Sequence, residues 1–148
     1  MDIRIASPQD AASLVAFNHA MALETEGKTL ADDKISNGVA AVFADEKKGF
    51  YVVCEDVQTI AGGLMVTYEW SDWRDAWFWW IQSVYILPNY RGQKLYSRMY
   101  DFVKMKAAEA GNVCGFRLYV ETENTNAQHV YNAVGMACSH YVMYEEEV

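Results

Sequence analysis

Pro88 constrains this chain more than any other residue. Ala76–Leu87 reads as a long strand, and proline ends it because it has no N–H to give a ladder. From about Arg91 the apolar period changes: Leu95, Met99, Phe102, Val103 and Ala110 fall on one helical stripe, closed by Gly111. A buried strand that passes into an amphipathic helix through a glycine-containing loop requires mixed α/β architecture. The densest apolar run, Ala76–Ile81, is strand-sized and far short of the ~18 residues of a membrane helix.

The remaining elements fit that class. Ile3 and Ile5 alternate with Asp2 and Arg4 as a short strand. Ser7, Pro8 and Asp10 supply a cap, a first helical position and a capping box. A helix is expected to about Leu23, and a second near Leu30–Phe43. Strands are expected at Phe50–Glu55, Thr59–Trp70, Ala76–Leu87, Phe116–Glu121 and Met136–Glu145, with a helix at Thr125–Val134 ended by Gly135. At 148 residues without a linker or repeat, the chain reads as one domain, residues 1–148.

The net charge of −8 repels phosphate backbones, so no nucleic-acid partner is expected, and it favours cationic ligands at long range. Cys54, Cys114 and Cys138 form no C-x-x-C pair and read as buried, reduced thiols. Together with an N-terminus that lacks a signal-like stretch, this suggests a cytoplasmic protein with no membrane association. His19, His129 and His140 lack ligand spacing with the cysteines, so no metal is expected.

The chemistry concentrates in Ser83–Met99. The first N–H groups of a helix have no internal partners and lie at its positive end, where they bind phosphate. Gly92 permits close backbone approach, and Arg91 and Lys94 add charge. An ordinary strand-to-helix turn with solvated cations is the alternative. This segment resembles the acyl-CoA loop of the GNAT superfamily of N-acetyltransferases, Arg/Gln-x-x-Gly-x-Gly/Ala, which Arg91, Gly92 and Gln93 fit in its first half. A second block, Asn124, Ala127, Tyr131 and Gly135-Met136, is similar to the family's late helix, and the element order matches from end to end. Lys94 and Tyr96 stand where the family has its two later glycines.

That resemblance implies a mixed, mostly antiparallel twisted sheet of about 6–7 strands flanked by about four helices, with splayed central strands. It implies acetyl transfer from acetyl-CoA to a primary amine by direct attack, in a ternary complex. Backbone groups of Val84, Tyr85 and Ile86 would bond the pantetheine, one N–H facing the thioester oxygen. Arg91, Gly92, Gln93, Lys94, Leu95, Tyr96 and Ser97 would hold the phosphates, and Asn124 would bond the pantetheine or cap its helix. Tyr131 matches the general acid toward the CoA thiolate, and also contributes to cofactor binding. A core-packing role is its alternative.

The base is less defined. Related diamine acetyltransferases carry a glutamate where this chain has Gln82, so Glu69 is the candidate, with a solvated hairpin tip as the alternative. All five tryptophans fall within Trp70–Trp80. Trp77 and Trp79 share one strand face, and Phe78 and Trp80 the other. This cluster could form a cation–π cage for the amine, a dimer interface or plain core. On the first reading Glu69, Trp70, Asp72, Trp73 and Gln82 bind the acceptor, a small amine, and on the second the protein is a homodimer. The competing functions are a non-catalytic acyl-CoA-binding or regulatory domain, and a protein lysine or N-terminal acetyltransferase.

Overall fold

The computed structural model describes residues 1–148. Contacts divide the chain into two compact units, Met1–Leu118 and Tyr119–Val148. The first contains the whole sheet. Its strands are β1 (Asp2–Ile5), β2 (Phe50–Asp56), β3 (Thr59–Ser71), β4 (Ala76–Ile86) and β5 (Val113–Arg117), and its helices are α1 (Ala11–Glu26), α2 (Asp32–Ala44) and α3 (Leu95–Ala110). The second contains α4 (Thr125–Ala133).

Strand order follows chain order, β1 to β5. The first four strands are antiparallel neighbours, while β5 returns parallel to β4 by way of α3. The apolar residues divide between the two sheet faces by period two. Tyr51, Val53 and Tyr85 face α1 and α2, where Leu14, Phe17 and Val39 complete a core. Val52, Cys54, Leu64 and Val66 alternate to the other face and are fully buried, as are Met99 and Val103 of α3. At the start of the first helical segment Asp10 is buried, and its carboxylate takes two bonds from Arg4 (2.7 and 3.0 Å) and one from the Ser7 N–H (2.8 Å). The Arg4 bond is the main cause of the depressed Asp10 pKa. A depressed carboxylate stabilises the fold above its ordinary pKa, and that contribution is lost as pH falls through the folded value.

Four expectations change. The sheet has five strands, not 6–7, because Met136–Glu145 forms no ladder. Its run Tyr141–Tyr144 is apolar without alternation and exposed throughout, and β propensity without a pairing edge does not make a strand. The strand expected at Phe116–Glu121 is β5, which ends at Arg117. α3 starts at Leu95 rather than Arg91, because Lys94 takes the left-handed conformation (φ 60°, ψ 30°) and blocks a helical turn before it. Cys54 is buried, but Cys114 and Cys138 are exposed, and all three are free thiols. Burial pushes the Cys54 thiol up to about 11, so it stays protonated. No helix is long and apolar enough to cross a membrane.

Candidate active site

β4 and β5 run together only from Trp77↔Val113 to Trp80↔Arg117. Two features part them. Ser83, in the middle of β4, has φ 51°, and the register against β3 shifts between Gly63 and Met65. Together these make a bulge that re-aims the strand. β5 ends opposite Trp80, ahead of that bulge, so β4 continues to Ile86 without a strand on that side.

The backbone alternation shows which groups are left open. The Trp77 N–H donates to Asn112 O on the β5 side, and the Leu87 N–H donates to Ala61 O on the β3 side. By period two, Tyr85 therefore faces β3, while Val84 and Ile86 direct their N–H and C=O groups to the open edge. Gly62 permits the close packing behind this edge: a Cβ there would lie 2.7 Å from Tyr85 O.

The open edge runs into the turn Pro88–Tyr90, the loop Arg91–Lys94 and the first turn of α3. Gly92 has φ 78° and is exposed. Arg98 N–H bonds Lys94 O, so the N–H groups of Leu95, Tyr96 and Ser97 precede the first helical bond and carry the partial positive end of the helix. Leu95 and Tyr96 are buried, and Tyr96 stacks on Tyr100 with ring centroids 6.0 Å apart. Their side chains therefore belong to the core. Lys94 and Gln93 are exposed. Lys94 adopts the backbone that glycine would adopt there, so the loop keeps its shape without glycine.

Glu69, the candidate base, is engaged elsewhere. One carboxylate oxygen accepts the Trp80 indole N–H (2.8 Å), and both accept from Arg117 (3.0 and 3.1 Å). The Trp80 bond, followed by Arg117, holds its carboxyl below the usual range. Such a carboxylate is a poor proton acceptor. The Gln82 amide donates to the Thr67 hydroxyl. The Arg117 guanidinium lies 3.5 Å from the Phe78 ring centroid, and that of Arg74 lies 4.9 Å away, so this cation-binding surface is already filled.

The tryptophans take separate roles. Trp79 is buried, Trp77 and Trp80 are half-buried, and Trp70 and Trp73 are 48% and 89% exposed. Trp70 packs edge-on against Trp77, centroids 4.9 Å apart. Trp70, Asp72 and Trp73 belong to the β3–β4 hairpin end, roughly 25 Å along β4 from Val84–Ile86 at the usual strand rise. These residues and the open edge do not come together.

In the second unit, Asn124 caps α4, its side-chain oxygen accepting from the Ala127 N–H (3.2 Å). Tyr131 lies on α4, and burial pushes its phenol above the ordinary tyrosine value. No group of histidine, cysteine and carboxylate side chains in the chain could hold a metal.

The model of the acetyltransferase (GNAT) family matches residues 15–136. The chain belongs to that family. Among solved structures, a possible acetyltransferase from Clostridium difficile 630 is 41% identical, with a TM-score of 0.92 over 99% of this chain and 97% of that one. Two more distant structures share the fold. The aminoglycoside 6'-N-acetyltransferase AAC(6')-IG from Acinetobacter haemolyticus is 12% identical, with a TM-score of 0.81 over 100% of this chain and 99% of that one. AAC(6')-Iy, solved with a CoA-containing bisubstrate analogue, is 14% identical, with a TM-score of 0.80 over 99% and 97%. No curated protein matches the sequence. This GNAT chain carries the parting of β4 from β5 directly before the loop Arg91–Lys94.

Sequence reasoning gave Ser83 no part in shaping the strand, whereas Arg117, open there to a salt bridge or an interface contact, forms the salt bridge to Glu69. Only the polar pair Gln82-Ser83 inside an apolar strand hinted at the bulge.

Proposed function

We propose that this chain is an acetyl-CoA-dependent N-acetyltransferase acting on a primary amine of a small acceptor, by direct attack in a ternary complex. The observation that carries the reading is the open edge of β4 at Val84 and the Ile86 N–H, which leads into the N-terminal turn of α3. An extended amide-bearing chain such as pantetheine can add to that edge as a strand would, and a pyrophosphate suits a helix N-terminus flanked by Lys94. The family match runs from residue 15 to 136, across Leu118, and so supports one N-acetyltransferase domain over residues 1–148.

In this reading the amine nitrogen attacks the thioester carbonyl carbon. The C–N bond forms, the C–S bond breaks, and an edge N–H at Val84 or Ile86 donates to the developing oxyanion. Tyr131 gives its proton to the departing thiolate. Because Glu69 is committed to Trp80 and Arg117, we assign no sheet carboxylate as base, and the amine proton leaves to solvent. The net charge of −8 favours a cationic acceptor at long range. The Phe78 ring, covered by Arg117 and Arg74, does not take the amine.

Two substitutions probe these roles. Lys94→Glu is expected to raise the KM for acetyl-CoA roughly tenfold, by placing like charge beside the phosphates, and to leave kcat within about threefold. Steady-state kinetics at varied acetyl-CoA checks this. Glu69→Gln is expected to keep kcat within about twofold from pH 6 to 9 while lowering stability by about 1 kcal/mol, as read by urea unfolding. A large loss of kcat that deepens toward low pH would return Glu69 to the role of base.

The function itself is tested by thiol release from acetyl-CoA across polyamines, aminoglycosides, amino acids and basic peptides, with acetyl-CoA binding followed by calorimetry. Amine-dependent release names the acceptor class. Binding with no release from any amine would favour a regulatory acyl-CoA-binding domain. No binding would remove the proposal.

A further inference from the structure

Arg91 opens the loop, and its side chain turns back onto β4 and α1. Its Nε donates to the Ile86 carbonyl (2.9 Å), and a terminal nitrogen donates to one oxygen of Glu24 (2.9 Å). Its guanidinium carbon lies 5.4 Å from the Tyr85 ring centroid. The other Glu24 oxygen accepts the Tyr85 hydroxyl (3.0 Å). Glu24 lies near the end of α1, so one carboxylate joins that helix to β4 and to the loop. The Arg91 bond, followed by the Tyr85 bond, lowers the Glu24 pKa and keeps the carboxylate ionised at neutral pH.

Two things follow from these contacts. The Ile86 carbonyl is one of the groups that face the open edge, and Arg91 already occupies it. The Arg91 charge is also balanced by Glu24, which leaves Lys94, exposed and outside any ion pair, as the net cation of the loop.

We propose that Glu24 is a positioning residue of the acyl-CoA site. Acting through Arg91, it closes the open edge at Ile86. A chain added along Val84 must then leave strand register at Ile86 and turn toward the N-terminus of α3. Arg91 is thus a strut rather than a phosphate ligand. This rests on the reading of the edge and loop as an acyl-CoA site. Nothing in sequence order hints at it, since Glu24 and Arg91 are 67 residues apart.

The test uses the full chain in two measurements. In steady-state kinetics, Glu24→Gln, Glu24→Ala and Arg91→Met are each expected to raise the KM for acetyl-CoA about fivefold and to leave kcat within about twofold. The Glu24→Gln/Arg91→Met double variant should be no worse than either single one, since both remove the same strut. Tighter acetyl-CoA binding in Glu24→Gln would mean that Arg91 is a phosphate ligand held back by Glu24, and would overturn the proposal. Additive losses or unchanged KM would do the same.

The second measurement needs no cofactor. In the unliganded protein, amide hydrogen exchange across Arg91–Leu95 should be faster in Glu24→Gln than in wild type, because the loop has lost its anchor. Equal exchange overturns the strut. If wild type neither binds nor turns over acetyl-CoA, the proposed function fails, and exchange alone decides the strut.

Discussion

Tyr131→Phe is expected to lower kcat about a hundredfold at saturating acetyl-CoA and amine, with little change in either KM. A positioned general acid contributes roughly 10²–10⁴-fold, and the substitution removes only the hydroxyl that would serve. Burial pushes the Tyr131 phenol upward, so it keeps its proton across the neutral range. Thiols titrate near ~8.5, so a thiolate leaving at neutral pH gains from a proton delivered as the C–S bond breaks. The check is kcat from pH 6 to 9, with urea unfolding alongside to confirm that the fold is intact. A variant with wild-type kcat at every pH would take the acid role from Tyr131 and leave it as a packing residue of α4.

Gly49→Ala is expected to cost at least about 3 kcal/mol of folding stability, the largest structural effect of any single methyl considered. Gly49 precedes β2 at φ +143°, a conformation side chains rarely adopt. A Cβ built there would lie 2.0 Å from Val66 O and 3.0 Å from Val66 C, both main-chain atoms of β3. Phe50 pairs with Val66, so relief of the clash must break the β2–β3 ladder at its first rung. Strained backbone costs about 1–3 kcal/mol and overpacking a similar amount, and here both apply. For a chain of this size the midpoint of thermal unfolding should fall by about 10 °C. A drop of under 1 kcal/mol in urea unfolding would show that the segment can shift away from β3.

Most of the architecture was legible because it rests on local periodicity. The stripe of α3 and the capping box at Ser7–Asp10 are patterns of neighbours, and so are the opposite faces of Trp77 and Trp80. What stayed hidden depends on partners distant in sequence. The run Tyr141–Tyr144 has strand composition, but composition does not supply an edge to pair with. Glu69 looked like a free carboxylate until β5 brought Arg117, 48 residues away, across β4. In the site, the loop was readable from Pro88, Arg91 and Gly92. The bulge was not, because serine rarely takes positive φ and the polar pair Gln82-Ser83 is too slight a signal to announce that Ser83 does. The start of α3 was misjudged for a related reason: Lys94 holds a conformation that its residue type does not announce.

The open edge of β4 also bears on how this protein behaves in a tube. Unsatisfied strand edges invite foreign strands, and natural proteins blunt them with charge, short length or a bulge. Here the bulge at Ser83 twists the edge, and Arg91 seals one end of it, which leaves a short stretch around Val84 to recruit another chain. A ligand lying along that stretch would act as its guard against self-association. Concentrated protein stored without acyl-CoA should therefore aggregate sooner than protein stored with it, even at temperatures where both remain folded.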